Sequence, residues 1–150
     1  MNVPHGIALA LALAILPIAG CHVGPQIEQT DLGRKPHGAA VVVQLKAKPM
    51  AKKAEHQGEL LAVRDDGLVL LKEEGVSGAP RIVLIPWNIV YRASAIDLPG
   101  VAVRTSQGAA QRGKSTETLR NVSRFPQGLS PTLAGQLLAR YGQSEVKTLE

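Results

Sequence analysis

The chain has 150 residues, with 17 Lys and Arg against 12 Asp and Glu and a net charge of +5 at neutral pH. That excess is small and scattered, and one Trp, two Tyr and one Phe give no platform for stacking bases, so a nucleic-acid partner is excluded. A single cysteine excludes an internal disulfide, and the length suits one domain with a modest core.

Residues 7–16 form an unbroken apolar run, which Pro17 ends before Ile18-Ala19-Gly20-Cys21. A spanning helix needs about 20 apolar residues, whereas residues 7–19 would give only ~20 Å of helix. The length fits the apolar region of an export signal. Small residues ahead of the lone cysteine resemble the lipobox of bacterial lipoproteins. That resemblance implies cleavage between Gly20 and Cys21 and a diacylglyceryl group on the Cys21 thiol. It would also block a thiol that otherwise stands unpaired in an oxidising compartment. One feature departs from the pattern: residues 1–5 carry no Lys or Arg. The alternative is an ordinary secretory signal, for which Ile18 is large. In the lipoprotein family an Asp after the cysteine marks inner-membrane retention. His22 stands there, which implies the periplasmic face of the outer membrane in a Gram-negative host.

Residues 1–20 contain no Asp, Glu, Lys or Arg, so the whole charge belongs to residues 21–150. Residues 21–37 carry Gly24, Pro25, Gly33 and Pro36 without apolar periodicity and read as a tether. Fully extended, such a segment reaches about 50 Å.

Five short apolar or β-branched segments come next, at 39–45, 58–64, 68–72, 81–85 and 89–93. Asp65-Asp66-Gly67 between the second and third predicts a tight hairpin turn with positive φ. Connections marked by Gly75, Gly78 and Pro80, and Pro86 after the fourth strand, suit an antiparallel meander. With no helix interrupting them, the segments predict a mainly β fold, a small five-stranded antiparallel barrel over residues 38–103. Gly58-Glu59-Leu60-Leu61-Ala62-Val63 with the turn 65–67 resembles the first motif of the Sm-like barrel. Asn88-Ile89-Val90-Tyr91 resembles its second. The Arg-Gly pair that precedes the Asn in that family is Pro86-Trp87 here. The resemblance therefore implies the Sm-like or SH3-like barrel shape and self-association through strand edges, but not the family's nucleotide pocket.

Residues 101–103 predict one more short strand, and residues 104–128 a polar loop and extended segment containing Gly108 and Gly113. A C-terminal helix is predicted over 129–142. Ser130 caps it, Pro131 occupies its first position, and Leu133, Leu137, Leu138 and Tyr141 share one side. Gly142 ends it, ahead of a tail over 143–150. A helix of about three turns needs a surface to dock on, and the barrel supplies one.

Gly108-Ala109-Ala110-Gln111-Arg112-Gly113-Lys114-Ser115 matches the nucleotide-binding P-loop pattern. There Gly108 and Gly113 would shape a loop of amides, Lys114 would reach phosphates and Ser115 would hold magnesium. The chain offers neither a β-α-β crossover before it nor a long helix before Pro126 after it, so the match reads as a solvated loop. His22, His37 and His56 lack metal-ligand spacing, no Ser sits in a nucleophile elbow, and no cofactor is implied. Lys46, Lys48, Lys52 and Lys53 form a small basic cluster, which reads either as a solvated loop or as attraction to anionic headgroups. Trp87 and Tyr91 are the candidate partner contacts, with a core-capping role for Trp87 as the alternative. The chain thus reads as a lipid-anchored, non-enzymatic envelope lipoprotein. Its partners would be the membrane through Cys21 and an envelope protein or the cell wall.

Overall fold

A computed structural model describes residues 36–47, 54–72 and 78–150. The leader, Gly20, Cys21, His22, most of the tether and Lys48, Lys52 and Lys53 lie outside the described residues. Among those described, no helix is long and apolar enough to cross a membrane.

The strands are β1 (Ala40–Leu45), β2 (Glu55–Val63), β3 (Gly67–Lys72), β4 (Arg81–Pro86), β5 (Val90–Ala95), β6 (Ala102–Arg104) and β7 (Lys147–Thr148). The helices are α1 (Ala109–Asn121) and α2 (Pro131–Arg140). The first five strands coincide with the predicted apolar segments to within a few residues. The fold is mainly β, as expected. It is not a closed barrel, however, but one open sheet in the order β6-β5-β1-β2-β3-β4-β7. All pairs are antiparallel except β4 with β7.

The reason the barrel does not close is visible at its seam. A five-stranded barrel would bring β4 against β5. Instead β6 pairs with the outer edge of β5, and β7 with the outer edge of β4. Those are also the edges that self-association in the manner of the resembled family would use.

Side chains alternate between the two faces. Leu68, Leu70, Val83 and Ile85 join a core to which β1 through β6 all contribute, with Leu119 and Val122 from the end of α1. Val69, Leu71, Ile82 and Leu84 point the other way, under Leu133, Leu137, Leu138 and Tyr141 of the α2 region. This double burial explains why β3 and β4 read as continuous apolar runs. A bulge in β2 sets both Leu61 and Ala62 opposite Val69. The extra residue puts both on the α2 side, while Leu60 and Val63 stay in the larger core.

The β2–β3 connection is a two-residue turn at Asp65-Asp66, closed by Arg64 N–H donating to Gly67 O at 2.8 Å. Gly67 does not take the expected positive φ. It is needed because a Cβ there would lie 2.3 Å from the carbonyl oxygen of Ile85.

α2 forms as its caps dictate. The Ser130 hydroxyl accepts from Leu133 N–H at 3.4 Å, and Pro131 follows it. At the other end Gly142 has φ +65°. Gly142 N–H donates to Ala139 O at 3.2 Å and Gln143 N–H to Leu138 O at 2.9 Å, the paired bonds of a Schellman motif.

The expected loop at 104–128 is largely the helix α1. Its first turns are polar and exposed, and of its side chains only Leu119 is fully buried. It packs against β6 and β2.

Candidate functional site

Two cavities lie at opposite ends of the strand pair β1–β5. One, of about 370 Å³, is lined by Pro36 to Ala40, Asp97, Leu98 and Val122, where the described chain begins. Beside it, the Glu59 carboxylate accepts from Gly38 N–H and from the Arg124 guanidinium, each at 2.8 Å. His37 Nδ1 lies 3.3 Å from the same guanidinium. These bonds tie the incoming chain to β2 and to the segment after α1.

The second cavity is a polar cleft of about 720 Å³ between the sheet and one face of α1. Each wall has a local origin. The β2–β3 turn contributes Arg64 and Asp65, and the β4–β5 turn contributes Trp87 and Asn88. Lys46 follows β1, and Thr105 follows β6. Helix α1 presents Ala109, Arg112, Gly113, Thr116 and Arg120, spaced three or four residues apart or adjacent and therefore on one face.

Trp87 forms the half-buried floor at this end of the larger core. Its indole N–H donates to Arg64 O at 2.9 Å, and its backbone N–H to Asp66 O at 3.1 Å, which fixes the ring on the hairpin.

The lining holds four cations, Lys46, Arg64, Arg112 and Arg120, against one carboxylate, Asp65. Two of the cations have acidic neighbours: Arg64 Nε lies 3.2 Å from Asp66, and the Arg120 guanidinium 2.6 Å from Glu117. The other two are held by neutral carbonyls. Lys46 Nζ donates to Asn88 O at 2.6 Å, and Arg112 to Thr105 O at 3.5 Å. Their charge is positioned without being neutralised. The N-terminus of α1 adds to the same sign. Gly108 gives it no side-chain cap, and its first turn contains no acidic residue.

The candidates from the sequence are only partly brought together. Trp87 and Gly113 line the cleft. Gly108 caps α1, while Lys114 and Ser115 lie within it and are not part of the lining. The solvated loop expected over residues 108–115 is corrected here to the start of a helix, because Arg112 N–H donates to Gly108 O at 2.9 Å in the first turn of α1. From Arg112 onward the amides are spent on the helical ladder, and the amides of the first turn are left open.

Tyr91 sits elsewhere, 39 % exposed, at a bulge where β5 slips against β1. Next to it, Arg92 Nε is buried without a hydrogen-bond partner. Lys46 is visible in the sequence as part of a basic cluster, whereas nothing local marks Arg64, Arg112 or Arg120. For the last two the i, i+4, i+8 spacing of Arg112, Thr116 and Arg120 carries the signal, once α1 is known to be a helix.

Among the described residues, no group of His, Cys, Asp and Glu could hold a metal ion. The chain matches no protein-family model, no curated protein and no solved structure.

Proposed function

We propose that this protein is a lipid-anchored binding module of the bacterial cell envelope. The apolar run at 7–16 followed by Ile18-Ala19-Gly20-Cys21 carries the reading. Diacylglyceryl on Cys21 would hold the chain at a membrane, with the acyl methylenes contributing about 0.8 kcal/mol each. The described residues begin at 36, and residues 22–35 lie in sequence between the anchor and them.

The layout of the domain supports a binding role. From Ala40 to Lys46, β1 carries the chain roughly 20 Å away from the end where the tether arrives. At that far end stands the cleft with Trp87. An anchored domain would therefore present its cleft away from its own attachment point, toward a partner in the periplasmic space. The barrel-like part of the reading reduces to its strand order: β5-β1-β2-β3-β4 is that of a small barrel opened between β4 and β5.

Mass spectrometry of the membrane-extracted protein tests the anchor. The wild type should begin at Cys21 and carry the diacylglyceryl mass, and Cys21→Ala should lose both processing and membrane association. An unmodified Cys21, or a retained leader on the wild type, would overturn the proposal.

A further inference from the structure

We infer that the cleft between α1 and the β2–β3 and β4–β5 turns is a binding site for a phosphoryl group carried on a hydroxylated body, such as a sugar phosphate. The inference rests on the binding-module reading of the domain, but not on the lipid anchor.

Three observations converge on it. The first is the charge of the walls, four cations to one carboxylate, drawn from separate elements around one concavity. Cations that line one concavity add their fields within it, screened in part by the solvent that reaches them. Arg112 and Lys46 matter most, because their bonds go to the carbonyls of Thr105 and Asn88 and leave their charge available to a ligand. The second is the mixture of donors. Guanidinium groups offer planar forks that match phosphoryl oxygens, and an ammonium offers a compact charge beside them. The third concerns the rest of the lining. Trp87 gives a flat apolar wall, while Asp65, Asn88, Thr105 and Thr116 offer polar groups suited to hydroxyls. A purely apolar ligand would strand these groups. A volume of about 720 Å³ lies within the ~300–1,000 Å³ typical of small-ligand sites. The uncapped N-terminus of α1, with Ala109 in the lining, faces the same space and favours the same sign.

The chain contains a single tryptophan, and it is in the cleft. Its emission therefore reports on this site alone. The full chain reconstituted in phosphatidylcholine vesicles is titrated with glucose 6-phosphate and, separately, with glucose. The expected result is a saturable change in Trp87 emission with the phosphoester only, weakened by added salt. Lys46→Ala and Arg112→Ala should each weaken binding about tenfold, the worth of one charge-assisted hydrogen bond. Lys147→Ala, on β7, should leave it unchanged. Circular dichroism melts of all three variants verify that they are folded. A parallel set of vesicles containing phosphatidylglycerol separates the sources. A shift on these vesicles without added sugar phosphate, abolished by Arg112→Ala, assigns the phosphoryl group to a lipid headgroup. No saturable change in either arm would overturn the inference. So would equal weakening by Lys147→Ala, which would show only unspecific attraction to net charge. Because the readout is independent of Cys21 processing, its failure is distinct from failure of the anchor.

Discussion

Gln143 should contribute far more to stability than a residue just past a helix normally does. Its side-chain amide acts as a surrogate peptide on the edge of β4. Ile82 N–H donates to Gln143 Oε1 at 2.6 Å, and Gln143 Nε2 donates to Ile82 O at 3.1 Å. One residue pair further on, β7 takes over, pairing Lys147 with Val83 and Thr148 with Leu84. The side chain is delivered there by the Schellman motif at Gly142, so the end of α2 and the edge of β4 are coupled through one amide. Gln143→Met keeps length and flexibility and removes both bonds to Ile82, together with an exposed 3.4 Å bond from Nε2 to Glu145 O. Two hydrogen bonds at about 1 kcal/mol each give a loss of about 2 kcal/mol, with more if water cannot reach Ile82. In urea, followed by far-ultraviolet circular dichroism, the midpoint should fall by about 1–2 M at an unchanged slope. Hydrogen exchange at the Ile82 amide should accelerate in parallel. Gln143→Glu keeps the acceptor, loses the donor and sets a carboxylate against Ile82 O, so it should be destabilised as well. A midpoint within about 0.3 M of wild type for Gln143→Met, with Ile82 still protected, would refute the reasoning.

Three further outcomes are expected from the same structure. Leu137 is the α2 side chain buried against Leu61, Val69 and Ile82. Leu137→Ala should cost about 2–3 kcal/mol and expose that face of the sheet, measured by urea unfolding and by binding of a hydrophobic dye. Gly113 lies mid-helix in α1 with open space where a Cβ would go. Gly113→Ala should therefore raise stability by about 0.5–1 kcal/mol in thermal melts, whereas a true phosphate loop at this position would be damaged. His56 has its pKa lowered from 6.5, first by desolvation on burial and then by the charge of Lys72. The unfolded chain thus binds the proton more readily than the folded one. Stability should be full above pH 6.5, fall as the pH drops through the unfolded-state value, and level off below the folded-state pKa. His56→Gln should flatten that part of the pH–melting profile, and an unchanged profile would count against the burial of the ring.

What is legible in the sequence is whatever has local causes. The strands β1 to β5 stand out because apolar and β-branched residues cluster between Gly, Pro and Asp. α2 stands out because Ser130, Pro131 and Gly142 each satisfy a backbone group at a defined position. Elements with non-local causes are hidden. β7 is two residues long and exists because β4 has a free edge to offer. The open sheet results from that and from β6, whose three residues cover the edge of β5. No pattern within residues 39–93 could show that both closing edges would be occupied by later segments.

The same logic accounts for the cleft, and it ties the hidden helix to the hidden site. An amphipathic stripe marks a helix only when its apolar side finds a core, and α1 sends little more than Leu119 inward. Its earlier side chains are exposed or half-buried, and its end is anchored by Leu119 and Val122. Arg120 adds a bond there from its Nε to Val63 O at 3.4 Å. A helix docked by one end leaves a gap along the other. That gap is where Arg112 and Gly113 face Lys46, Arg64 and Trp87. Had residues 109–118 been apolar enough to be read as a helix, α1 would have packed flat on the turns and there would be no cleft. The polarity that disguised the element is the condition for the site it helps to build.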